Sequence, residues 1–139
     1  MTPRELMTEY LAAARVGDWD RAYDFFADDM VVRIPGRSAF AGDWKGKDAA
    51  IGYIDAVREH FSGGSIGLEL IDMLVSEERV ALLVREQFHG AGGAAVEIRR
   101  SNVYRVRDDA IVEISIFEAD QYLVDELLRD VHPAGRRTR

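Results

Sequence analysis

The stretch Ala95-Val96-Glu97-Ile98-Arg99-Arg100-Ser101-Asn102-Val103-Tyr104-Arg105-Val106-Arg107 decides the fold. Its residues alternate: Val96, Ile98, Arg100, Asn102, Tyr104 and Val106 share one side, and Glu97, Arg99, Ser101, Val103, Arg105 and Arg107 the other. A period of two is that of a strand with one buried face. The first set is the more apolar and is expected to face inward. Comparable segments flank it, at about Ile66–Ser76, Arg79–Gly90 and Ala110–Ala119, joined by Glu77-Glu78, by Ala91-Gly92-Gly93-Ala94 and by Asp108-Asp109. Connections this short join antiparallel neighbours, so an antiparallel meander is predicted.

Upstream of the meander the period becomes helical. Thr2-Pro3-Arg4-Glu5 offers an N-cap, a first-turn proline and a capping-box glutamate, and Leu6, Met7, Tyr10, Leu11 and Ala14 then line one face until Gly17. Asp18 caps a second, short helix carrying Trp19, Ala22, Tyr23 and Phe26, and the two form a helical hairpin. Met30–Ile34 has the β-branched content of a strand, stopped by Pro35-Gly36. Arg37–Gly46 reads as a loop. From Lys47 a third helix presents Ile51, Ile54, Val57 and Phe61 until Ser62-Gly63-Gly64 breaks it. After the meander a last helix, Asp120 to about Asp130, carries Leu123, Val124, Leu127 and Leu128. This order predicts an α+β domain, a cone-shaped curved antiparallel sheet with helices packed on its concave face around a cavity. It spans residues 1–130, and residues 131–139, with the basic Gly135-Arg136-Arg137-Thr138-Arg139, are expected to form a mobile tail.

Composition narrows the partners. The chain has 139 residues, 47% hydrophobic and 31% charged, which suits one globular domain. Its net charge of −7 disfavours a groove that tracks phosphates, so nucleic acid is not an expected partner. No apolar run approaches the roughly 18–20 residues of a membrane span, and no leader pattern opens the chain, so no membrane partner and a cytoplasmic location are expected. The chain has no cysteine, which removes disulfides and thiolate chemistry. His60, His89 and His132 are too dispersed for metal-ligand spacing. Gly90-Ala91-Gly92-Gly93 falls in a hairpin rather than between a strand and a helix, so it is no dinucleotide fingerprint. No metal and no cofactor are expected.

Three segments, Tyr10-Leu11-Ala12-Ala13-Ala14-Arg15-Val16-Gly17-Asp18-Trp19, Phe26-Ala27-Asp28-Asp29 and Pro35-Gly36-Arg37-Ser38-Ala39-Phe40-Ala41-Gly42-Asp43-Trp44-Lys45-Gly46-Lys47-Asp48-Ala49, give the chain a family resemblance. In this order and spacing it resembles the SnoaL-like branch of the nuclear transport factor 2-like superfamily, over about Pro3 to Arg129. The resemblance implies a cone with a deep pocket, commonly a homodimer packed through the outer sheet face, and no cofactor. Members include polyketide cyclases, ketosteroid isomerases, epoxide hydrolases and dehydratases, together with domains that only bind or scaffold, so it fixes the container and not the chemistry.

Polar residues on the inward face are the candidates for function, because buried polar groups need partners or a task. Arg100 and Asn102 interrupt one apolar row, and Glu86 interrupts Val80, Leu82, Val84 and Phe88. If the glycine-rich turn pairs residues whose numbers sum to about 186, Glu86 lies across from Arg100 and Val84 from Asn102, as an interior ion pair or a substrate contact. In the last strand Val112, Ile114, Ile116, Glu118 and Asp120 share one side. By resemblance to the cyclases, an acid near the end of this strand is the general base, and Asp120 is its best match. Asp120 is equally placed to cap the following helix, and Glu118 reads as a solvated rim residue. Tyr10 matches the oxyanion-binding tyrosine of ketosteroid isomerases, but their base falls on Ile34 and their protonated acid on Asn102, so that mechanism is not implied. The arginine-and-two-aspartate arrangement of limonene-type epoxide hydrolases lacks an acid at Ser101 or Asn102.

The expected site therefore has Asp120 as base and Tyr10 with Asn102 as oxyanion donors. Arg100, Glu86, Glu118, Trp44, Val84, Phe88 and Ile116 would meet the substrate. Trp44 is either a lid or a core plug, and Arg33 is expected on the outer side. The leading expectation is a cofactor-independent enzyme moving protons on a small, apolar, polyketide- or terpenoid-like carbonyl compound, of isomerase or cyclase class. The alternatives are a non-catalytic small-molecule-binding or dimeric scaffold protein, and hydration or epoxide opening in which Glu86 or Glu118 orients water.

Overall fold

The computed structural model describes residues 1–61, 65–89 and 94–133. Helix α1 (Pro3–Arg15) begins at the expected capping box, in which Thr2 Oγ1 accepts the Glu5 N–H at 3.1 Å and the Glu5 carboxylate accepts the Thr2 N–H at 2.9 Å. Helix α2 (Trp19–Tyr23) follows, capped by Asp18. Strand β1 (Phe26–Ile34) starts earlier than Met30, because Phe26 already pairs with Ile111. Beyond it, the segment expected as loop contains a short strand β2 (Gly42–Lys45), in which Asp43 pairs with Arg33 and Trp44 with Val32. Then come α3 (Lys47–Phe61), β3 (Ser65–Val75), β4 (Arg79–His89), β5 (Ala95–Arg107), β6 (Ala110–Glu118) and a short α4 (Gln121–Leu127). The Ser62-Gly63-Gly64 break, the turn at Gly90–Gly93, the residues 134–139 and the side chains of Phe61 and Phe88 lie outside the described residues. Up to that limit the chain stays packed: Val131 N–H bonds the Leu128 carbonyl and Pro133 is buried.

The six strands form one sheet in the order β2-β1-β6-β5-β4-β3. The meander is antiparallel as expected, whereas β1 lies parallel to β6, so the sheet is mixed. That joint brings Arg33 onto Glu113, eighty residues away, at 2.7 Å, with Asp43 on its other side, which places Arg33 on the outer face as expected. Register shifts at Leu70/Asp72 and Arg105/Val106 interrupt the ladders, and such bulges bend and twist a sheet.

Alternation correctly picked the covered face. Val80, Leu82, Val84, Ile98, Tyr104, Val106 and Ile114 are all buried, against Leu6, Met7 and Tyr10 of α1, Met30 and Val32 of β1, and Ala50 of α3. Among the described residues no helix is long and apolar enough to cross a membrane.

Candidate functional site

The β4–β5 register is displaced by two residues from the expected one. His89 pairs with Ala95, Glu86 with Ile98, Val84 with Arg100 and Leu82 with Asn102. Which residues meet is therefore set at the connection between the strands and not by the strand pattern. A shift of two preserves the face of every side chain. Arg100, Asn102 and Glu86 accordingly stay on the inner side, but the expected Glu86–Arg100 pairing across the strands does not form.

Arg100 turns instead to its neighbour on β6. Glu118 is its direct register partner, and two contacts join them: Arg100 Nε donates to Glu118 Oε1 at 3.1 Å, and Nη2 lies 3.0 Å from Oε2. This fork-on-carboxylate geometry is the strong form of an ion pair. The Glu118 side chain is 5% exposed and that of Arg100 20%. Glu118 is therefore not a solvated rim residue; the inward direction of β6 buries it.

Asp120 lies on the outside. Strand β6 ends at Glu118, and the Ala119 N–H still bonds the Arg99 carbonyl, but the chain then turns into α4, where alternation no longer applies. The exposed Asp120 carboxylate accepts the Leu123 N–H at 3.0 Å, which is the capping role.

Arg100 and Glu118 border a narrow chamber of about 30 Å³, walled by Ile34, Pro35, Ser38, Phe40, Tyr53 and Val57 and roofed by Val124 and Leu128 at α4. With roughly 10–15 Å³ needed per water on this measure, it holds a water or two. The deep pocket implied by the resemblance is thus narrowed by side chains. Tyr53 is the residue that the sequence reading missed. Its ring is held between Phe40, at a centroid separation of 5.9 Å, and Trp44, at 5.5 Å. Burial raises the Tyr53 hydroxyl to about 12, with the Arg100 charge pulling it down and Glu118 pushing it up. That phenol stays protonated at neutral pH and is a hydrogen-bond donor beside the carboxylate.

The other expected residues divide. Trp44 is a core plug: it is buried, and its Nε1 donates to the Phe40 carbonyl at 2.8 Å. Tyr10 is buried between Phe26 and Tyr104, at ring separations of 5.9 and 5.8 Å, and burial lifts its hydroxyl well above the ordinary tyrosine range. Burial likewise raises Tyr104 to about 12, opposed by a hydrogen bond from Asn102. Asn102 Oδ1 is buried without a hydrogen-bond partner among the described residues. Tyr10 and Asn102 line the polar core next to Tyr104 rather than the chamber wall. Val84 is buried opposite Arg100, and Ile116 lies opposite Asn102. No cluster of acids or histidines that could hold a metal occurs among the described residues.

A curved mixed sheet wrapped on helices is the architecture of nuclear transport factor 2-like, or cystatin-like, domains. Solved structures agree in fold. Bal32a, from a soil-derived mobile gene cassette, is 24% identical with a TM-score of 0.79, covering 91% of this chain and 95% of that one. A cystatin-like protein of unknown function from Xanthomonas campestris is 23% identical with a TM-score of 0.77, covering 92% and 98%. TerC, co-crystallised with polyporic acid, is 14% identical with a TM-score of 0.69, covering 91% and 97%. The SnoaL-like domain matches residues 7–114, and the chain belongs to that family. Glu118 and α4 lie beyond the matched segment. No curated protein matches this sequence.

Proposed function

We propose that the protein is a cofactor-independent acid/base enzyme acting on a small apolar carbonyl compound, with Glu118 in the role the sequence suggested for Asp120. One observation carries this reading: the carboxylate facing the chamber belongs to Glu118, beside the Tyr53 hydroxyl. In the proposed step a Glu118 oxygen takes a proton from the carbon next to the carbonyl. The C–H electron pair moves into the enolate, and the Tyr53 O–H donates to its oxygen. Return of the proton to another carbon isomerises the compound, and attack of the enolate carbon on a second carbonyl closes a ring. Arg100 fixes the carboxylate's orientation throughout. The co-crystallisation of TerC with polyporic acid is in keeping with a fold that receives small organic molecules.

Exchange of the α-protons of β-tetralone with D2O, followed by NMR, tests the step without knowledge of the natural substrate. Glu118→Gln should slow protein-catalysed exchange by roughly 10²–10⁴-fold, and Asp120→Asn should leave it unchanged. Loss in Asp120→Asn alone would return the role to that residue.

The narrow chamber favours a second reading, a binding or scaffold domain without chemistry, under which no variant differs from buffer. Either reading includes a homodimer through the outer sheet face. Ile71, Leu74 and Phe117 are exposed there, Phe117 by 57%, and an apolar patch of this kind marks an association surface. Phe117→Glu should then halve the mass read by light scattering, and an unchanged mass would remove the interface.

A further inference from the structure

We propose that α4 is a door over the chamber, latched by Asp125, and that its opening joins the chamber to the groove outside it. The proposal rests on the reading that the chamber receives the ligand. Three features of the fold support it. First, the chamber of about 30 Å³ cannot admit an organic molecule as it stands, and its roof is Val124 and Leu128. Second, the opposite side of the same helix borders an open groove of about 720 Å³, lined by Gly36, Arg37, Gln121, Asp125 and Arg129. Ser38 borders both spaces, so a single layer, α4 with the Gly36–Ser38 turn, separates them. The groove alone falls within the roughly 300–1,000 Å³ of ordinary ligand sites. Third, one bond fastens the layer: Asp125 Oδ1 accepts the Arg37 N–H at 3.0 Å, while within α4 the Gln121 side-chain amide donates to the same oxygen at 3.0 Å and holds it in place.

The turn is built for that latch. Gly36 has φ +95°, a conformation that strains any residue with a Cβ, and a Cβ there would also press on the ends of the Asp125 and Gln121 side chains. The helix itself is short. It has seven residues, too few to hold helical form without support, and few close backbone approaches tie it to other elements. Releasing the bond from Arg37 leaves the burial of Val124 and Leu128, with Leu123, Leu127 and Val131 packed beside them, to keep the roof down. The ligand class follows from what the opened space presents. Arg100 and Glu118 neutralise one another and the Tyr53 phenol is protonated, so the inner end receives an uncharged, hydrogen-bond-accepting group, a ketone or quinone oxygen, on an apolar ring. Charged groups on the same molecule remain in the groove.

The test uses prodan, an uncharged naphthyl ketone dye, and the whole chain. Stopped-flow association should be slow in the wild type and about tenfold faster in Asp125→Ala, the range expected for losing hydrogen bonds to a charged acceptor. Amide hydrogen exchange across Gln121–Leu127 should accelerate alongside, and amide shifts on dye binding should map to Tyr53, Arg100 and Glu118. Asp20→Asn removes the same charge from an exposed position on α2, outside the groove and the chamber, and should change neither rate. Should Asp125→Ala fold poorly, Gln121→Ala removes the amide that holds the latch carboxylate in place and leaves the Arg37 bond, with a smaller acceleration. Equal association in the latch variants, or dye shifts confined to the outer sheet face, would overturn the door, as would no binding at all. These readouts concern access, so they separate from the chemistry: Glu118→Gln that binds dye yet exchanges β-tetralone normally ends the acid/base assignment and leaves the door standing.

Discussion

Arg100→Ala should lower the stability of the fold by about 3–5 kcal/mol, the cost of leaving one member of a buried pair uncompensated. The abandoned group is the Glu118 carboxylate, whose side chain is 5% exposed and whose forked partner occupies the register position directly opposite. Coulombic attraction between the two is offset by their desolvation, so the pair itself contributes little net stability. Removing both charges is therefore expected to be mild. The double variant Arg100→Met/Glu118→Leu should recover most of what Arg100→Ala loses, while abolishing proton exchange. Urea unfolding of the two variants reads the difference directly, as a midpoint shift with an unchanged slope. Equal losses in the single and double variants would mean that packing, not charge, dominates at this position.

Trp44→Ala should cost about 3–5 kcal/mol through the cavity left by an indole. The side chain is 9% exposed, contacts Tyr53 at a ring separation of 5.5 Å and satisfies the Phe40 carbonyl at 2.8 Å. Trp44→Phe keeps much of the volume but leaves that carbonyl without its donor, a loss of about 1–3 kcal/mol. Thermal unfolding should rank the variants wild type, then Phe, then Ala. The same loss reaches the chamber, since the Tyr53 ring would lose its contact with the indole. Proton exchange per folded molecule should fall further than dye binding, because holding a donor in place matters more to the transition state than to occupancy.

Side-chain faces were legible in the sequence, and side-chain partners were not. The period of two fixes the side to which Arg100, Asn102, Glu86 and Glu118 point, and the structure keeps all four inside. Which residue stands opposite depends on turn length, and a run such as Gly90-Ala91-Gly92-Gly93 accepts several lengths, so the pairing of Glu86 moved to Ile98. Asp120 was misplaced because alternation was carried past the end of the strand, where the helix cap takes over. The strand at Gly42–Lys45 was hidden by its flanking glycines, with φ of 113° at Gly42 and 94° at Gly46, and forms only because β1 offers it a ladder. Tyr53 could have been found. It follows Ala49 and Ala50 by four and three residues and precedes Val57 by four, the spacing of the inner face of α3. The reading followed Ile51, Ile54, Val57 and Phe61 along that helix and left its phenol out.

The parallel joint between β1 and β6 carries a temporal consequence. A ribosome releases β1 early, yet the ladder that receives it, at Glu113, Ile114 and Ser115, is among the last segments synthesised. Until then β1 has only β2 and the helix α3 to lie against, and a lone two-stranded ribbon is marginal in water. The nascent chain thus carries its helices and first strand unfinished through most of translation, and the sheet gains its far edge in one late closure.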